Sequence, residues 1–131
     1  MKMKYRNKRM LALVAALMIL TTGCGAGADY QQVSTAEAVE MMAETTNYII
    51  LDVRTPAEYE SGHIPGAINV ANETIGSKDI EELPDKDQVI FVYCRSGNRS
   101  KEASAKLTKL GYTNIVEFGG INNWEGEIET E

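Results

Sequence analysis

Only two cysteines, Cys24 and Cys94, and a single histidine, His63, occur in 131 residues. That supply is too thin for a cysteine–histidine metal centre, and nothing else in the sequence asks for a metal or a cofactor. If Cys24 is consumed by N-terminal processing, as argued next, Cys94 has no partner within the chain. A structural disulfide and a dithiol redox mechanism within one chain are then both excluded. Internal repeats are missing. So is any apolar run long enough to span a bilayer as a mature helix, since the longest, Met10–Leu20, is too short. The length fits one domain, and a hydrophobic fraction of 44% is that of a globular chain rather than a disordered one.

The N-terminus carries a processing signal. Lys2, Lys4, Arg6, Lys8 and Arg9 precede the Met10–Leu20 run, the pattern of a basic n-region and an apolar h-region. Thr21-Thr22-Gly23-Cys24 then resembles a bacterial lipobox, with Thr21 where the pattern prefers leucine. Ala26-Gly27-Ala28 offers an ordinary secretory cleavage site instead. The lipobox is favoured, because a cysteine at that distance from an h-region has no other explanation. The expected division is a signal peptide over 1–23, a tether over 24–30 beginning at a lipidated Cys24, a folded domain over 31–128 and a loose acidic tail over 129–131. The expected location is outside the cytoplasmic membrane of a bacterium, held there by lipid, with secretion after Ala28 as the alternative. Cleavage before Cys24 removes five positive charges and no acid, so the formal charge moves from −6 to −11. So acidic a chain excludes nucleic acid as a partner and stays off an anionic membrane surface unless a lipid holds it there.

Against that background one stretch reverses sign: Cys94-Arg95-Ser96-Gly97-Asn98-Arg99-Ser100, with Lys101 after it. It follows Val89-Ile90-Phe91-Val92-Tyr93, an apolar, β-branched run that predicts a buried strand. It precedes Lys101–Leu110, where Ala103, Leu107 and Leu110 recur at helical spacing. A cysteine therefore stands where a strand ends and a helix is about to begin. Backbone N–H groups in such a loop, with a helix N-terminus behind them, stabilise an anion, a thiolate included. A merely structural cysteine gains nothing from Arg95 and Arg99 beside it.

The remaining elements follow from local signals. Asp29–Val33 is a short strand at most. Ser34…Glu37 and Thr55-Pro56…Glu58 are capping boxes, each opening a helix, the second ending near Gly62. Tyr48–Val53 is a continuous apolar run expected as a strand buried on both faces, Ala67–Val70 a third strand and Asn114–Phe118 the last. Asp79–Leu83 is expected as one helical turn, residues 71–77 as a polar loop, and Glu125–Glu131 as a loose end. Short strands alternating with helices predict an α/β fold with a small, mainly parallel sheet flanked by helices on both faces, its ligand beyond the carboxyl ends of the strands.

Five segments in this order resemble the rhodanese family of sulfurtransferases, over roughly Val33–Gly126. They are Asp52-Val53-Arg54…Glu58-Tyr59, Gly62-His63-Ile64-Pro65-Gly66-Ala67-Ile68-Asn69, the Cys94 loop, Gly111-Tyr112, and Gly119-Gly120…Trp124. The resemblance implies a rhodanese fold and a thiosulfate sulfurtransferase. Cys94 would attack the outer sulfur of a small anionic donor, form a persulfide and pass the sulfur to cyanide or a thiol. Backbone N–H groups of Arg95, Ser96, Gly97, Asn98 and Arg99 would cradle the negative charge, the Arg95 and Arg99 side chains would hold the donor, and Gly97 would supply a tight turn. Asp52 and Arg54 are expected to fix the loop through hydrogen bonds and to pair with Glu58. His63 is expected to make a structural hydrogen bond rather than act as a base, and Trp124 to close the core. The chain is expected to be monomeric. Two alternatives remain open: a non-enzymatic rhodanese module that carries sulfur or binds a protein, and a phosphatase or arsenate reductase on a related loop. The latter enzymes place five residues between cysteine and arginine, whereas four separate Cys94 from Arg99.

Overall fold

The computed structural model describes residues 29–131. The basic segment, the apolar run and the lipobox at Cys24 lie outside the described residues. Five strands form one sheet: β1 (Gln31–Gln32), β2 (Ile49–Asp52), β3 (Ile68–Asn69), β4 (Ile90–Cys94) and β5 (Ile115–Gly120), in the order β1-β5-β4-β2-β3. Every pairing among them is parallel. Strand β4 lies at the centre with all five residues buried, which is what a continuous apolar run requires. Its last residue is Cys94 itself.

Among the described residues three helices pack on the sheet: α1 (Thr35–Glu44), α2 (Pro56–Ser61) and α3 (Asn98–Lys109). Both capping boxes are complete. Ser34 and Thr55 accept from the amides of Glu37 and Glu58, whose carboxylates accept in return from the cap amides. Alternation along the strands splits the core in two. Leu51, Ile90, Val92 and Ile115 meet Ala103 and Leu107 of α3 on one face. Ile50, Phe91, Val116 and Phe118 meet Ala38 of α1 and Tyr59 of α2 on the other. The fold is the α/β arrangement expected, with helices on both faces.

Four local expectations need correction. Helix α3 begins at Asn98 rather than Lys101, because Gly97 takes the N-cap position immediately after the loop. Asp79–Leu83 is not helical; the Leu83 amide closes a single tight turn on the Ile80 carbonyl at 3.0 Å. Asn72–Thr74, inside the expected loop, is a 3-10 turn. The acidic tail is tied down rather than loose. Glu129 and His63 exchange both backbone hydrogen bonds, each 2.9 Å, in an antiparallel bridge. Side-chain polarity hides such a bond, because it is made by the main chain.

Candidate active site

The register between β4 and β5 slips near their carboxyl ends. Val92 pairs with Glu117, but Cys94 pairs with Gly120, so β5 carries one extra residue. The bulge brings Gly120 beneath the cysteine loop. A Cβ on Gly120 would collide with the Arg95 carbonyl and with Ser96, so only glycine lets the loop lie this close. The loop is pinned further by Asn122, whose amide donates to the Arg95 carbonyl at 3.2 Å.

Within the loop, Gly97 has φ +121°, a left-handed conformation that side chains resist. That turn aims the Gly97 amide back at Cys94, whose Sγ accepts it at 3.0 Å. No side chain caps α3. The amides of its first turn lack intrahelical partners and face the same end as the sulfur. Cys94 is buried, whereas Arg95, Ser96 and Asn98 are exposed. Among the described residues, the Arg95 guanidinium has no ion-pair partner within 4.0 Å.

Arg99 is engaged differently. Its Nη1 and Nη2 donate to the two carboxylate oxygens of Glu58 at 2.7 and 3.1 Å. Those hydrogen bonds hold the Glu58 carboxyl down at about 2. Glu58 thus completes the α2 cap and clasps α3 at once. The expected Arg54–Glu58 pairing is corrected here: Arg54 pairs with Asp52. Its Nη2 lies 2.7 Å and its Nε 3.1 Å from Oδ2, and its own amide donates to Oδ1 at 2.9 Å. Positions two apart at a strand end project to the same side, which makes the shorter partnership available first. Tyr93 donates to Asp52 at 2.7 Å and accepts from the Ile64 amide at 3.1 Å. Its phenol is pushed above the ordinary tyrosine value, chiefly by burial. Asn69 ties off the bend by donating to the carbonyls of Asp52 and Arg54, both at 2.9 Å. The Asp52–Arg54 network is a buried scaffold beside the site.

His63 lies in the same scaffold. Its ring stacks on Tyr59 with centroids 3.8 Å apart, and Nδ1 donates to the Tyr59 carbonyl at 2.8 Å. Nε2 faces the carboxylates of Glu129 and Glu131 at 3.5 and 3.9 Å. Trp124 packs against Phe118 and donates to the Glu127 carbonyl at 3.0 Å.

Sequence reasoning misses Ser100 and Glu117 as site residues. Ser100 is fully buried, with Oγ 3.5 Å from the Cys94 sulfur, 2.9 Å from the Gly97 carbonyl and 2.5 Å from Glu117 Oε2. The Gly119 amide, freed at the bulge, donates to the same Oε2 at 2.8 Å. The available signal was a carboxylate in the apolar run Ile115-Val116-Glu117-Phe118, at the parity of Ile115, which packs against α3.

Because the Glu58 carboxyl is held at about 2, well below the roughly 4.3 of a free glutamate, the Glu58–Arg99 clasp supports the folded state above the free value. That support is lost as pH falls through about 2. Glu58→Gln is therefore expected to cost most stability at neutral pH, and the deficit against wild type should shrink between roughly pH 4.3 and 2. Urea midpoints of both proteins across that range check it. A constant deficit would show that the carboxylate charge contributes nothing.

Comparison with known proteins bears on the family and the fold. The model of the rhodanese-like domain matches residues 34–127. Thiosulfate sulfurtransferase PspE of Escherichia coli (strain K12) is 34% identical over 73 residues, covering 56% of this chain and 70% of its own. Thiosulfate sulfurtransferase GlpE of Pseudomonas entomophila (strain L48) is 31% identical over 104 residues, 79% of this chain and 92% of its own. Among solved structures, a rhodanese with anions from E. coli superposes with a TM-score of 0.59 at 30% identity, over 64% of this chain and 99% of that one. A rhodanese-like domain protein from Staphylococcus aureus gives 0.66 at 28% identity, over 77% and 98%. A family match that runs from the first helix cap at Ser34 to Glu127, past the cysteine loop and through every strand but β1, makes this chain a member of the rhodanese-like family.

Proposed function

We propose that the protein transfers sulfane sulfur from thiosulfate, or a similar small anionic donor, to cyanide or a thiol through a persulfide on Cys94. The observation that carries this reading is the 3.0 Å contact from the Gly97 amide to Sγ at the uncapped start of α3. A sulfur anion there is met by a donor already in place, with no reorganisation needed as charge develops. The thiolate attacks the outer sulfur, the donor's S–S bond breaks, and its electron pair leaves with sulfite. The acceptor then takes the outer sulfur of the persulfide and returns Cys94 to its resting form. Arg95 supplies an exposed guanidinium at the mouth, and the N–H groups of Arg99 that Glu58 leaves over add to the attraction for an anion. The short Cys94–Arg99 loop suits a sulfur atom better than a tetrahedral phosphate.

After incubation with thiosulfate and removal of the excess, intact-mass measurement is expected to show one added sulfur atom, discharged by cyanide. Hydrolysis of an aryl phosphate should stay at background. Comparable phosphate turnover with no added sulfur would sink the assignment.

We further propose that Cys24 is lipidated and tethers the domain to the outer side of the cytoplasmic membrane. The basic segment, the apolar run and Thr22-Gly23-Cys24 support this reading. Cys24→Ala should shift the protein out of the membrane fraction. A soluble chain starting at Asp29 from the unaltered sequence would show that the site after Ala28 is used instead.

A further inference from the structure

Glu117 is 2% exposed, and among the described residues no lysine, arginine or histidine lies within ion-pair distance of it. A carboxylate buried without a cation is costly unless hydrogen bonds or a proton offset it. Here both contacts fall on one oxygen, Oε2: the Ser100 hydroxyl at 2.5 Å and the Gly119 amide at 2.8 Å. An amide cannot give up its hydrogen, but a hydroxyl can pass one on. Behind that hydroxyl, 3.5 Å from Oγ, stands the Cys94 sulfur. The thiol can donate to Ser100, and of the three acceptors around the Ser100 hydroxyl, the Gly97 carbonyl at 2.9 Å, the Gly119 carbonyl at 3.3 Å and Glu117 Oε2 at 2.5 Å, the carboxylate is the nearest. A chain of hydrogen-bonding groups thus runs from the nucleophile through Ser100 to a buried carboxylate.

We propose that Glu117, acting through Ser100, accepts the Cys94 thiol proton when the sulfur becomes a nucleophile. This rests on the sulfur-transfer reading for its substrate, but not for its proton path. The Sγ–H bond breaks as the thiol hydrogen moves to Ser100 Oγ, while the hydrogen already on Oγ moves to Glu117 Oε2. The electron pair left on Sγ attacks the donor's outer sulfur, and the donor's S–S bonding pair departs with sulfite. Charge balances: Glu117 loses its negative charge as the persulfide gains one. The buried site carries one negative charge before and after, so the step never places two in low dielectric.

The surroundings leave Glu117 no other ionisable partner in its immediate contacts. Its register neighbours are Gln32 on β1 and Val92 on β4, neither of them titratable. From α3 it meets Ser100. Arg99 is the cation electrostatically coupled to Cys94, and it is held by Glu58, with Glu73 also acting on it. None of these groups is hydrogen-bonded to Glu117, whose contacts are the Ser100 hydroxyl and the Gly119 amide.

The test is the rate at which iodoacetamide, a small neutral reagent, alkylates Cys94 between pH 6 and 9 in the full chain. An internal proton acceptor makes that rate nearly independent of pH, because no proton leaves for solvent. The wild-type rate is expected to vary less than threefold from pH 6 to 8. In Glu117→Gln the amide oxygen still accepts from Ser100 and Gly119, but it cannot take the proton. Alkylation should then fall at least threefold at pH 6, with the loss gone or reversed by pH 9. Ser100→Ala cuts the chain at its middle and should give the same pattern, so either variant decides if the other fails to fold. A wild-type rate that climbs about tenfold per pH unit overturns the inference. So does a folded variant with no loss at pH 6, or with the same loss at every pH. Alkylation reads the proton path whether or not sulfur moves, whereas sulfur uptake from thiosulfate by the wild type reads the proposed function.

Discussion

Cys94→Ser is expected to reduce thiosulfate:cyanide transfer to background while leaving the fold intact. The exchange replaces one small buried group by another that can also accept from the Gly97 amide, so the loop is expected to keep its shape. What disappears is the chemistry. A serine hydroxyl is barely ionised near neutral pH, and its oxygen cannot form a persulfide. No second cysteine stands in among the described residues, so no residual route exists through this loop. The measurement is transfer activity per folded molecule, with the urea midpoint reported beside it. A stability change within about 1 kcal/mol together with complete loss of transfer fits a nucleophile. Retained transfer would remove Cys94 from that role.

Asp52→Ala should do the opposite, damaging the fold far more than the chemistry. Asp52 is fully buried, and it accepts hydrogen bonds from the Arg54 amide, from Arg54 Nε and Nη2 and from the Tyr93 hydroxyl. Burial alone would disfavour the charged Arg54 guanidinium, but Asp52, with Tyr93 beside it, more than offsets it, and Arg54 sits above the ordinary arginine value. Removing the carboxylate strands a guanidinium that is 5% exposed with the Gly62 carbonyl at 2.7 Å and the Tyr93 ring, its centroid 5.8 Å away, left to answer it. Breaking a buried pair from one side costs about 3–5 kcal/mol. Set against a typical total of roughly 5–15 kcal/mol, that loss brings a small domain close to unfolding. Urea denaturation should show a much lower midpoint at an unchanged slope. The fraction still folded in buffer should transfer sulfur at close to the wild-type rate. Full stability with lost transfer would instead place Asp52 at the reacting atoms.

The sequence is most legible where the signal is local. Both capping boxes occur as expected, because a serine or threonine and a glutamate three residues on need only each other. The β4 strand and the cysteine at its end are readable for a related reason, since a buried apolar run stopped by small polar residues has few other outcomes. Partner choice is another matter. Arg54, Arg99, Asp52 and Glu58 are all visible as charges, but which meets which depends on where α2 and β4 place them. Glu117 stays hidden because strand periodicity says only that it faces α3, not that Ser100 and a bulge amide await it. The tail is hidden for a third reason: its anchor to His63 is main chain, which no side-chain pattern records.

The Glu58–Arg99 clasp also bears on how the site opens. Glu58 lies in the first turn of α2, on one side of the sheet, and Arg99 in the first turn of α3, on the other. The pair therefore works as a strap over the rim of the sheet, joining its two layers. Fraying of either helix start pulls on its counterpart. Amide hydrogens of the two first turns should accordingly exchange with deuterium through one shared opening event rather than two separate ones, making the two helix starts a single unit of local unfolding.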